Sequence, residues 1–417
     1  MTLRFVHAAD LHLDSPFTGI RAAAPENVAT TLYSATFDSY QNIVDLCITE
    51  GVDALLVAGD IYDSADRSLR AQRAFIDGLQ RLDAAGIRSF VCHGNHDPLD
   101  GWEARLSYPD GCHRFGSEFS PAPVFPDDPE RALVYGISYP TRDVYDNLVS
   151  RLGRVDDGAL AIGLLHANVG GNTDHALYAP CSLDDLAQSG IDYWALGHVH
   201  TRQVLRQHAP TVVYPGNPQG RHPNETGARG VYLVEFDDNR NISLDFRPTD
   251  TVRWEQASID ISALETEQDL LNAIDDALQS LLDSSEGRSV VARVTLTGRG
   301  ELNRFLRQPA APDDLLASVN DQWAQRLPFV WCERIQDQTA AAVDRDAMRS
   351  GEDFLAEVLR TADQIREDPA TLRDGLAELY QQRRFGQHLA ALTEEEIAVL
   401  LDEAEALAVN LLAADDR

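Results

Sequence analysis

Five short polar clusters in the first half of the chain each follow an apolar run that has the composition of a β-strand. In chain order the clusters are Asp10-Leu11-His12, Gly59-Asp60-Ile61-Tyr62-Asp63, Gly94-Asn95-His96-Asp97, His166 and Gly197-His198-Val199-His200. Open α/β sheets assemble their sites at the carboxyl ends of strands, where side chains far apart in sequence meet. We therefore expect an α/β fold in which loops after five strands build one site.

The residue types in these clusters suit divalent metal ions. Seven candidate ligands stand out: Asp10, His12, Asp60, Asn95, His166, His198 and His200. Carboxylates, imidazoles and an amide oxygen suit manganese, iron or zinc better than a thiolate site would. Two ions need a bridging anion, and Asp60 is the candidate, because one carboxylate can hold two ions ~3.5–4 Å apart for displacement at phosphorus. The clusters therefore predict a two-metal phosphoesterase site.

Each cluster alone also has a purely structural interpretation. An Asp at a strand end can cap the next turn, and Gly94 and Asn95 tolerate left-handed backbone, so residues 94–97 could be an ordinary turn. Paired histidines such as His198 and His200 can be hydrogen-bonded core groups. The complete set, in order and each after an apolar run, is what favours metal binding.

Four further blocks extend the pattern beyond the candidate ligands. They are Asp14-Ser15-Pro16-Phe17, Arg67-Ser68-Leu69-Arg70-Ala71-Gln72, Tyr135-Gly136-Ile137-Ser138-Tyr139-Pro140 and Tyr214-Pro215-Gly216-Asn217-Pro218-Gln219-Gly220-Arg221-His222. With the ordered clusters, they make the chain resemble the calcineurin-like metallophosphoesterases over about residues 1–250. Within that family it is most similar to the SbcD-like DNA-repair nuclease subunits, in their YhaO branch. The resemblance implies a four-layer β-sandwich flanked by helices.

The resemblance also implies roles for individual residues. Asp10, His12, Asp60 and His200 would hold one metal ion, and Asp60, Asn95, His166 and His198 the other. A bridging water or hydroxide would be the nucleophile, since coordination lowers the pKa of water from ~15.7 toward ~7. His96 would donate a proton to the leaving oxygen, with Asp97 orienting an imidazole. Asp63 either supports the site or belongs to a turn.

Other polar residues near these clusters have simpler explanations. His7 and His93 lie in or at the end of strands, where packed or hydrogen-bonded histidines are the expectation. His175, His208 and His222 fall in loops and are not assigned to the site. The Gly170-Gly171-Asn172 turn lacks the Lys and the spacing of a P-loop, and an ordinary loop is expected there.

The net charge of −32 is unusual for a nuclease, because proteins that bind DNA usually present a basic surface. All 35 basic residues are arginines, and arginine forks suit phosphates, so Arg67, Arg70, Arg73 and Arg221 could form a local patch. Three explanations are open. The substrate is not long DNA, a basic partner supplies DNA binding, or the acidic, lysine-free surface reflects adaptation to high salt.

Composition sets the remaining expectations for the chain. No apolar stretch approaches the ~20 residues that span a bilayer, and the first residues run into a strand without a signal peptide. The five cysteines are scattered and odd in number, which favours reduced thiols. We expect a cytoplasmic protein that does not bind membranes.

The pattern changes near residue 250 and again near residue 344. We predict a catalytic domain over residues 1–250, an α/β unit over 251–343 that resembles the capping domain of SbcD-like nucleases, and a helical region over 344–417. The last region carries three apolar stripes: Phe354, Leu355, Val358 and Leu359; Leu372, Leu376, Leu379 and Tyr380; Ile397, Leu400, Leu401, Leu407, Leu411 and Leu412. They either pack locally or dock a partner. The resemblance implies an SbcC-like coiled-coil ATPase as that partner, and a homodimer as a further possibility.

The function predicted from the sequence is a metal-dependent phosphodiesterase. The resemblance makes it the DNA exonuclease or endonuclease subunit of an SbcC/SbcD-like repair complex, with two divalent ions, manganese first and iron or zinc as alternatives. A phosphoesterase for small molecules or phosphoproteins uses the same ligands, because fold and site do not choose the substrate. A regulatory subunit that binds metal with weak turnover is a third interpretation.

Overall fold

The structure is a computed structural model that describes residues 2–18, 24–63, 68–154, 158–170, 178–342, 345–367 and 394–412. Several residues named above, among them Arg67, His175 and the stripe that begins at Leu372, lie outside the described residues. The chain divides into two compact units. The first comprises residues 1–257, 276–294 and 316–334, and the second comprises residues 258–275, 295–315 and 335–417.

Two six-stranded sheets form the centre of the first unit. The first sheet has the order β12 (Ile242–Pro248), β11 (Gly230–Phe236), β1 (Leu3–Ala8), β2 (Ala54–Ala58), β3 (Arg88–Cys92) and β4 (Cys112–Arg114). The second has the order β5 (Ser120–Pro123), β6 (Ala132–Gly136), β7 (Leu160–His166), β8 (Tyr193–Gly197), β10 (Thr211–Tyr214) and β9 (Gln203–Arg206). Strands β1 to β4 run parallel, as do β6, β7, β8 and β10. Their carboxyl ends therefore meet at one edge of each sheet.

Helices cover the outer faces of both sheets. Helix α1 (Glu26–Glu50) ends at Gly51, whose left-handed φ of 60° makes a C-cap, and α2 (Leu69–Ala84) starts at Ser68, whose hydroxyl accepts a hydrogen bond from the Ala71 amide. Both pack on the first sheet through Tyr40, Phe75 and neighbouring residues. A 3₁₀ helix (Leu148–Arg151) and α3 (Leu183–Gln188) cover the second sheet.

An apolar cluster that includes Phe5, Leu56, Phe90, Ile162 and Tyr193 fills the space between the two sheets. Helices, sheet, sheet and helices thus form four layers, and the predicted fold is confirmed. The strands are apolar on both faces because each sheet is covered on both sides, as parallel sheets require.

A third sheet follows in the chain, with the order β13 (Val252–Asp260), β14 (Ser289–Thr297) and β16 (Val330–Asp337). Helices α4 (Glu267–Ser284), α5 (Asn303–Leu306) and α6 (Ala311–Trp323) lie between these strands in sequence. Within the first unit, Trp254 and Trp331 of this sheet pack against Val28 and Leu32 of α1. The three-domain division stays a prediction.

The second unit contains the pair β15 (Arg299–Gly300) and β17 (Ala340–Ala341) and the helices α7 (Arg345–Arg349), α8 (Phe354–Glu367) and α9 (Glu394–Leu412). Leu355 and Leu359 of α8 pack on Val409 of α9, and Glu405 accepts hydrogen bonds from Arg349 at 2.8 Å and Arg366 at 2.6 Å. None of the helices in the described residues combines the length and apolar character needed to cross a membrane.

Candidate metal centre

The seven predicted ligands lie together at the carboxyl edges of the two sheets. Asp10 and His12 follow β1, Asp60 follows β2 and Asn95 follows β3, while His166 ends β7 and the pair His198 and His200 follows β8. Six of the seven side chains belong to buried residues, with His200 only partly exposed. The placement after strands matches the expectation from the apolar runs.

Backbone conformation at this edge is unusual. Asp10, His12, Asp60 and His198 have φ values of 53°, 43°, 52° and 101°, in the left-handed region that residues with side chains rarely adopt. Each such residue costs of order 1–3 kcal/mol and persists where the surrounding structure requires it. The strand ends therefore turn sharply to aim these four side chains at one point.

The first set of candidate ligands is Asp10, His12, Asp60 and His200. The Nε2 atoms of His12 and His200 face each other at 3.1 Å, and His12 Nε2 lies 3.9 Å from Asp60 Oδ2. The ligating atoms of Asp10, His12 and His200 lie within 4.8 Å of one another. These distances are those of atoms that surround one common point.

The second set shares Asp60 with the first. His166 Nε2 lies 3.4 Å from Asp60 Oδ2 and 3.1 Å from Asn95 Oδ1. The His198 ring is 5.2 Å from the His166 ring, and the His198 amide donates to both carboxylate oxygens of Asp10 at 3.1 Å. Asp60 therefore lies between the two sets.

The orientation of three imidazoles fits metal binding. His166 Nδ1 lies 2.9 Å from the carbonyl oxygen of Ala58, and His200 Nδ1 lies 2.7 Å from Glu225 Oε1. Both oxygens are acceptors, so in a neutral imidazole the proton sits on Nδ1 and Nε2 presents a lone pair to the centre. His12 Nδ1 lies 3.3 Å from Asp63 Oδ1, an electrostatic contact that favours the same arrangement. The Nε2 atoms of His12 and His200 lie 3.1 Å apart, close enough for both to bind one cation, so these residues fit a metal ion.

Glycine is required where these loops pass close to the ligands. A Cβ atom on Gly94 would lie 2.4 Å from Asp60 Oδ1, and one on Gly197 would lie 1.9 Å from the carbonyl oxygen of Ala58. Neither position has room for a side chain. The two glycines therefore let the loops after β3 and β8 approach the centre.

Burial and charge set the protonation of the candidate ligands. Burial raises the pKa of Asp10 to about 6, against the opposing charge of His166, and burial lowers the pKa of His12 to about 4. Burial also favours a higher pKa for Asp60, but His166 and His12 outweigh burial and hold the pKa of Asp60 below the usual range. Burial likewise opposes protonation of His166, yet the Asp60 charge raises its pKa to about 9.

Metal binding should therefore release protons. Without metal, His166 is charged below about pH 9, and its charge stabilises the fold through Asp60. This contribution to the free energy of unfolding is complete below pH 6.5 and is lost as the pH rises through 9. Metal needs neutral His166, so we expect affinity to rise about tenfold per pH unit between pH 7 and 9. Titration calorimetry in buffers of different ionisation enthalpy measures the released protons. An affinity independent of pH would contradict this expectation.

His96 lies beside the ligand set, and Asp63 is its partner. His96 Nδ1 is 2.6 Å from Asp63 Oδ1, and its amide donates to Asp60 Oδ1 at 2.9 Å. Burial lowers the pKa of His96, but Asp63 and Asp60 more than offset this and raise it above its usual value. The side chain is 37% exposed, so a protonated imidazole is within reach of a substrate.

The imidazole beside the Asp97 carboxylate is that of His93, whereas Nδ1 of His96 lies beside Asp63. The Asp97 carboxylate accepts hydrogen bonds from the amides of Asp60, Ile61 and Gly94, and it lies 3.2 Å from Nδ1 of His93. Asp97 is fully buried and ties the loop after β2 to the loop after β3. It thus fixes the backbone of the site, and the imidazole it orients is the structural His93.

The structure describes only some of the arginines in the predicted patch. The guanidinium of Arg70, on α2, lies over the rings of Tyr33 and Phe37 of α1, and Arg67 lies outside the described residues. Arg221 is directed inward, 14% exposed, and donates to Asp63 at 3.2 Å. Arg221 is therefore not part of an exposed phosphate-binding patch.

Sequence reasoning missed Glu225, which binds both a candidate ligand and a loop. Besides its contact with His200, Glu225 accepts hydrogen bonds through Oε2 from the amides of Arg221 at 2.6 Å and His222 at 3.1 Å. The hydrogen bond from His200 keeps the pKa of Glu225 low although burial opposes this. Nothing in the local sequence Asn224-Glu225-Thr226-Gly227 separates this carboxylate from one in an ordinary turn.

Comparison with known proteins supplies an independent view of the chain. A family profile described as calcineurin-like phosphoesterase matches residues 3–202, and one described as metallophosphoesterase YhaO, middle domain, matches residues 254–340. The metallophosphoesterase YhaO of Bacillus subtilis (strain 168) is 35% identical over 404 residues, which cover 97% of this chain and 96% of that protein.

More distant relatives carry names from DNA metabolism. The DNA double-strand break repair protein Mre11 of Sulfurisphaera tokodaii is 26% identical over 287 residues, covering 64% of this chain and 72% of its own. A subunit of the nuclease SbcCD from Bacillus subtilis (strain 168) is 24% identical over 290 residues, covering 61% of this chain and 69% of its own. Both matches leave part of each chain unaligned.

Proposed function

We propose that this chain, which belongs to the calcineurin-like metallophosphoesterase family, is a metal-dependent phosphodiesterase that cleaves DNA. The observation that carries the proposal is the arrangement of His12, His166 and His200, whose Nε2 atoms converge on Asp60 and Asp10 while their Nδ1 atoms face acceptors. Members of this family use a dinuclear metal centre. The geometry supports the same use here.

Two ions would be held by the two ligand sets described above, with Asp60 shared between them. Asp10, His12 and His200 complete one set, and Asn95, His166 and His198 complete the other. Bound there, divalent ions such as manganese, iron or zinc would supply an activated water near neutral pH and stabilise charge at phosphorus. Manganese is our first choice because oxygen ligands make up part of both sets.

His96 supplies the proton that the leaving group needs. As the bond from phosphorus to the leaving oxygen breaks, that oxygen keeps the electron pair and takes the proton from Nε2 of His96. Asp63 holds Nδ1 at 2.6 Å and balances the positive charge before transfer. General acid catalysis of this kind typically contributes ~10²–10⁴-fold to the rate.

DNA is the proposed substrate because two relatives are named as a DNA repair protein and a nuclease. The net charge of −32 weighs against direct binding of long DNA, so we propose that a partner contributes part of the binding. Small phosphodiesters or phosphoproteins remain the alternative substrates, and a regulatory subunit with weak turnover remains the alternative role. The intact His96 and Asp63 pair favours an enzyme.

The proposed partner is an SbcC-like coiled-coil ATPase that binds the helical region. On α9, Leu401 and Val409 are buried, whereas Leu400, Leu407 and Leu411 are 42%, 58% and 73% exposed. Those three residues lie seven and four positions apart and share one helix face. A face of this kind suits a partner helix. We further propose the three-domain division at residues 250 and 343, and a cytoplasmic location.

One assay separates these possibilities. Manganese-dependent hydrolysis of an aryl phosphodiester and of an end-labelled DNA duplex is measured with the wild type at low and at molar salt. Cleavage of both supports the nuclease, and activity kept at molar salt supports salt adaptation of the acidic surface. Turnover of the ester with DNA intact at every salt would favour a small substrate or a missing partner. No turnover of either would contradict the proposed function.

A further inference from the structure

Arg221 makes buried contacts beside the candidate site that the mechanism above does not use. Its Nη1 atom donates to Asp63 Oδ2 at 3.2 Å and to the Ser15 hydroxyl at 2.5 Å. The Ser15 hydroxyl in turn donates to Asp63. Both donors bind Oδ2, so Oδ1 of Asp63 is left for the imidazoles of His96 and His12.

The backbone of Arg221 is held from the other side. Its amide donates at 2.6 Å to Oε2 of Glu225, whose Oε1 lies 2.7 Å from Nδ1 of His200. Glu225 therefore connects a candidate metal ligand to the residue that holds Asp63. The connection runs through one carboxylate with both oxygens engaged.

The contacts form a closed ring of five residues. In order these are His200, Glu225, Arg221, Asp63 and His12, and the ring closes where the Nε2 atoms of His12 and His200 lie 3.1 Å apart. His96 is attached to this ring at Asp63. Two of the four candidate ligands of the first set and the proton donor thus belong to one network of contacts.

We propose that Arg221 is a positioning residue that holds Asp63 and, through it, the proton donor His96. The inference rests on the proposed phosphodiesterase function. The terminal torsion of an Asp side chain is broad, so a carboxylate keeps one orientation only when its partners fix it. Arg221 fixes one oxygen of Asp63 with a charged donor. Without Arg221 the carboxylate can rotate, and the 37% exposed His96 side chain loses its anchor.

Arg221 is poorly placed to bind substrate directly. Its side chain is 14% exposed, and Nη1 already makes two contacts within the protein. An arginine that binds a substrate phosphate would present its planar fork to solvent. A positioning role therefore explains the geometry better than phosphate binding does.

The test compares two diesters that share a phosphoryl group but differ in the leaving group. One leaves as 4-nitrophenolate, which needs no proton, and the other as an alkoxide, which does. We expect Arg221→Gln to slow hydrolysis of the alkyl ester by about 10²-fold and that of the aryl ester only a few-fold. Loss of His96 should show the same dependence on the leaving group. Arg221→Lys should recover part of the loss, because one ammonium can replace the single Nη1.

Three results would overturn the proposal. An equal fall in kcat for both esters would assign Arg221 a general structural role. A raised KM for both esters with kcat unchanged would make it a substrate-binding residue. Loss of metal from Arg221→Gln, measured by elemental analysis, would make it a support of the metal site. Arg206→Gln is the control, because this half-buried arginine donates to the carbonyl oxygen of His208, away from the ring.

A second readout does not depend on activity. In the zinc-loaded wild type the Nδ1 proton of His96 should give a downfield NMR resonance, because a carboxylate holds it. We expect Arg221→Gln to lose or broaden that resonance and Arg206→Gln to keep it. An unchanged resonance in Arg221→Gln would refute the positioning role. An inactive wild type that shows the expected loss would refute the proposed function but support the positioning role.

Discussion

We expect replacement of Asp60 by Asn to remove bound metal and to lower phosphodiester hydrolysis by about 10³-fold or more, which corresponds to ~4 kcal/mol of transition-state stabilisation. Asp60 lies 3.4 Å from His166 Nε2 and 3.9 Å from His12 Nε2, one residue from each ligand set. The amide keeps the size of the carboxylate but has one oxygen and no charge, so it cannot serve two ions at once.

Elemental analysis and activity are measured on the same purified sample of the Asp60→Asn variant. Asp45→Asn provides the control, because the same chemical change is made at a 59% exposed carboxylate on α1. Exposed ion pairs contribute little to stability, so this control should behave as the wild type. An Asp60→Asn protein that keeps two metal ions and full activity would remove Asp60 from the role of bridging ligand.

Replacing His96 by Ala should leave metal content unchanged and lower kcat by ~10²–10⁴-fold. His96 bonds to Asp63 and is not one of the seven ligands, so the substitution removes a proton donor without removing a metal ligand. The loss should be larger for an alkyl leaving group than for 4-nitrophenolate.

The control for this variant is His208→Ala, at an exposed loop histidine. Metal content, kcat and the dependence of the rate on the leaving group are compared among the wild type and both variants. A His96→Ala enzyme that turns over the alkyl ester at the wild-type rate would exclude His96 as the proton donor. Lost metal would instead place His96 among the ligands.

Much of the fold and the site could be predicted because each polar cluster directly follows a strand. The apolar run 54–57 belongs to β2 and precedes Asp60, and the run 162–165 belongs to β7, which ends at His166. Parallel strands align their carboxyl ends, so chain order and strand pattern are enough to bring such residues together. The α/β unit predicted over residues 251–343 rests on similar patterns: Leu270, Ile274 and Leu278 recur at helical spacing, and they lie in α4 (Glu267–Ser284).

The contacts that support the site could not be predicted in the same way. Glu225 reaches His200 across 25 positions, and Arg221 reaches Asp63 across 158. Such pairs depend on how loops from the two sheets meet, and the spacing of apolar residues along the sequence does not predict this. Asp97 was predicted to orient an imidazole, and it lies beside that of His93. Its hydrogen bonds from three backbone amides of the loops after β2 and β3 were not predicted. The left-handed φ of Asp60 likewise could not be predicted, because the local sequence has Asp at this position where the conformation favours glycine.

The central claim is that two metal ions share Asp60. The most direct measurement is a crystal structure of the manganese-soaked protein with anomalous diffraction collected at the manganese edge. We expect two anomalous peaks ~3.5–4 Å apart with the Asp60 carboxylate between them. Asp10, His12 and His200 should surround one peak, and Asn95, His166 and His198 the other. A single peak, or two peaks that Asp60 does not contact, would contradict the two-metal account.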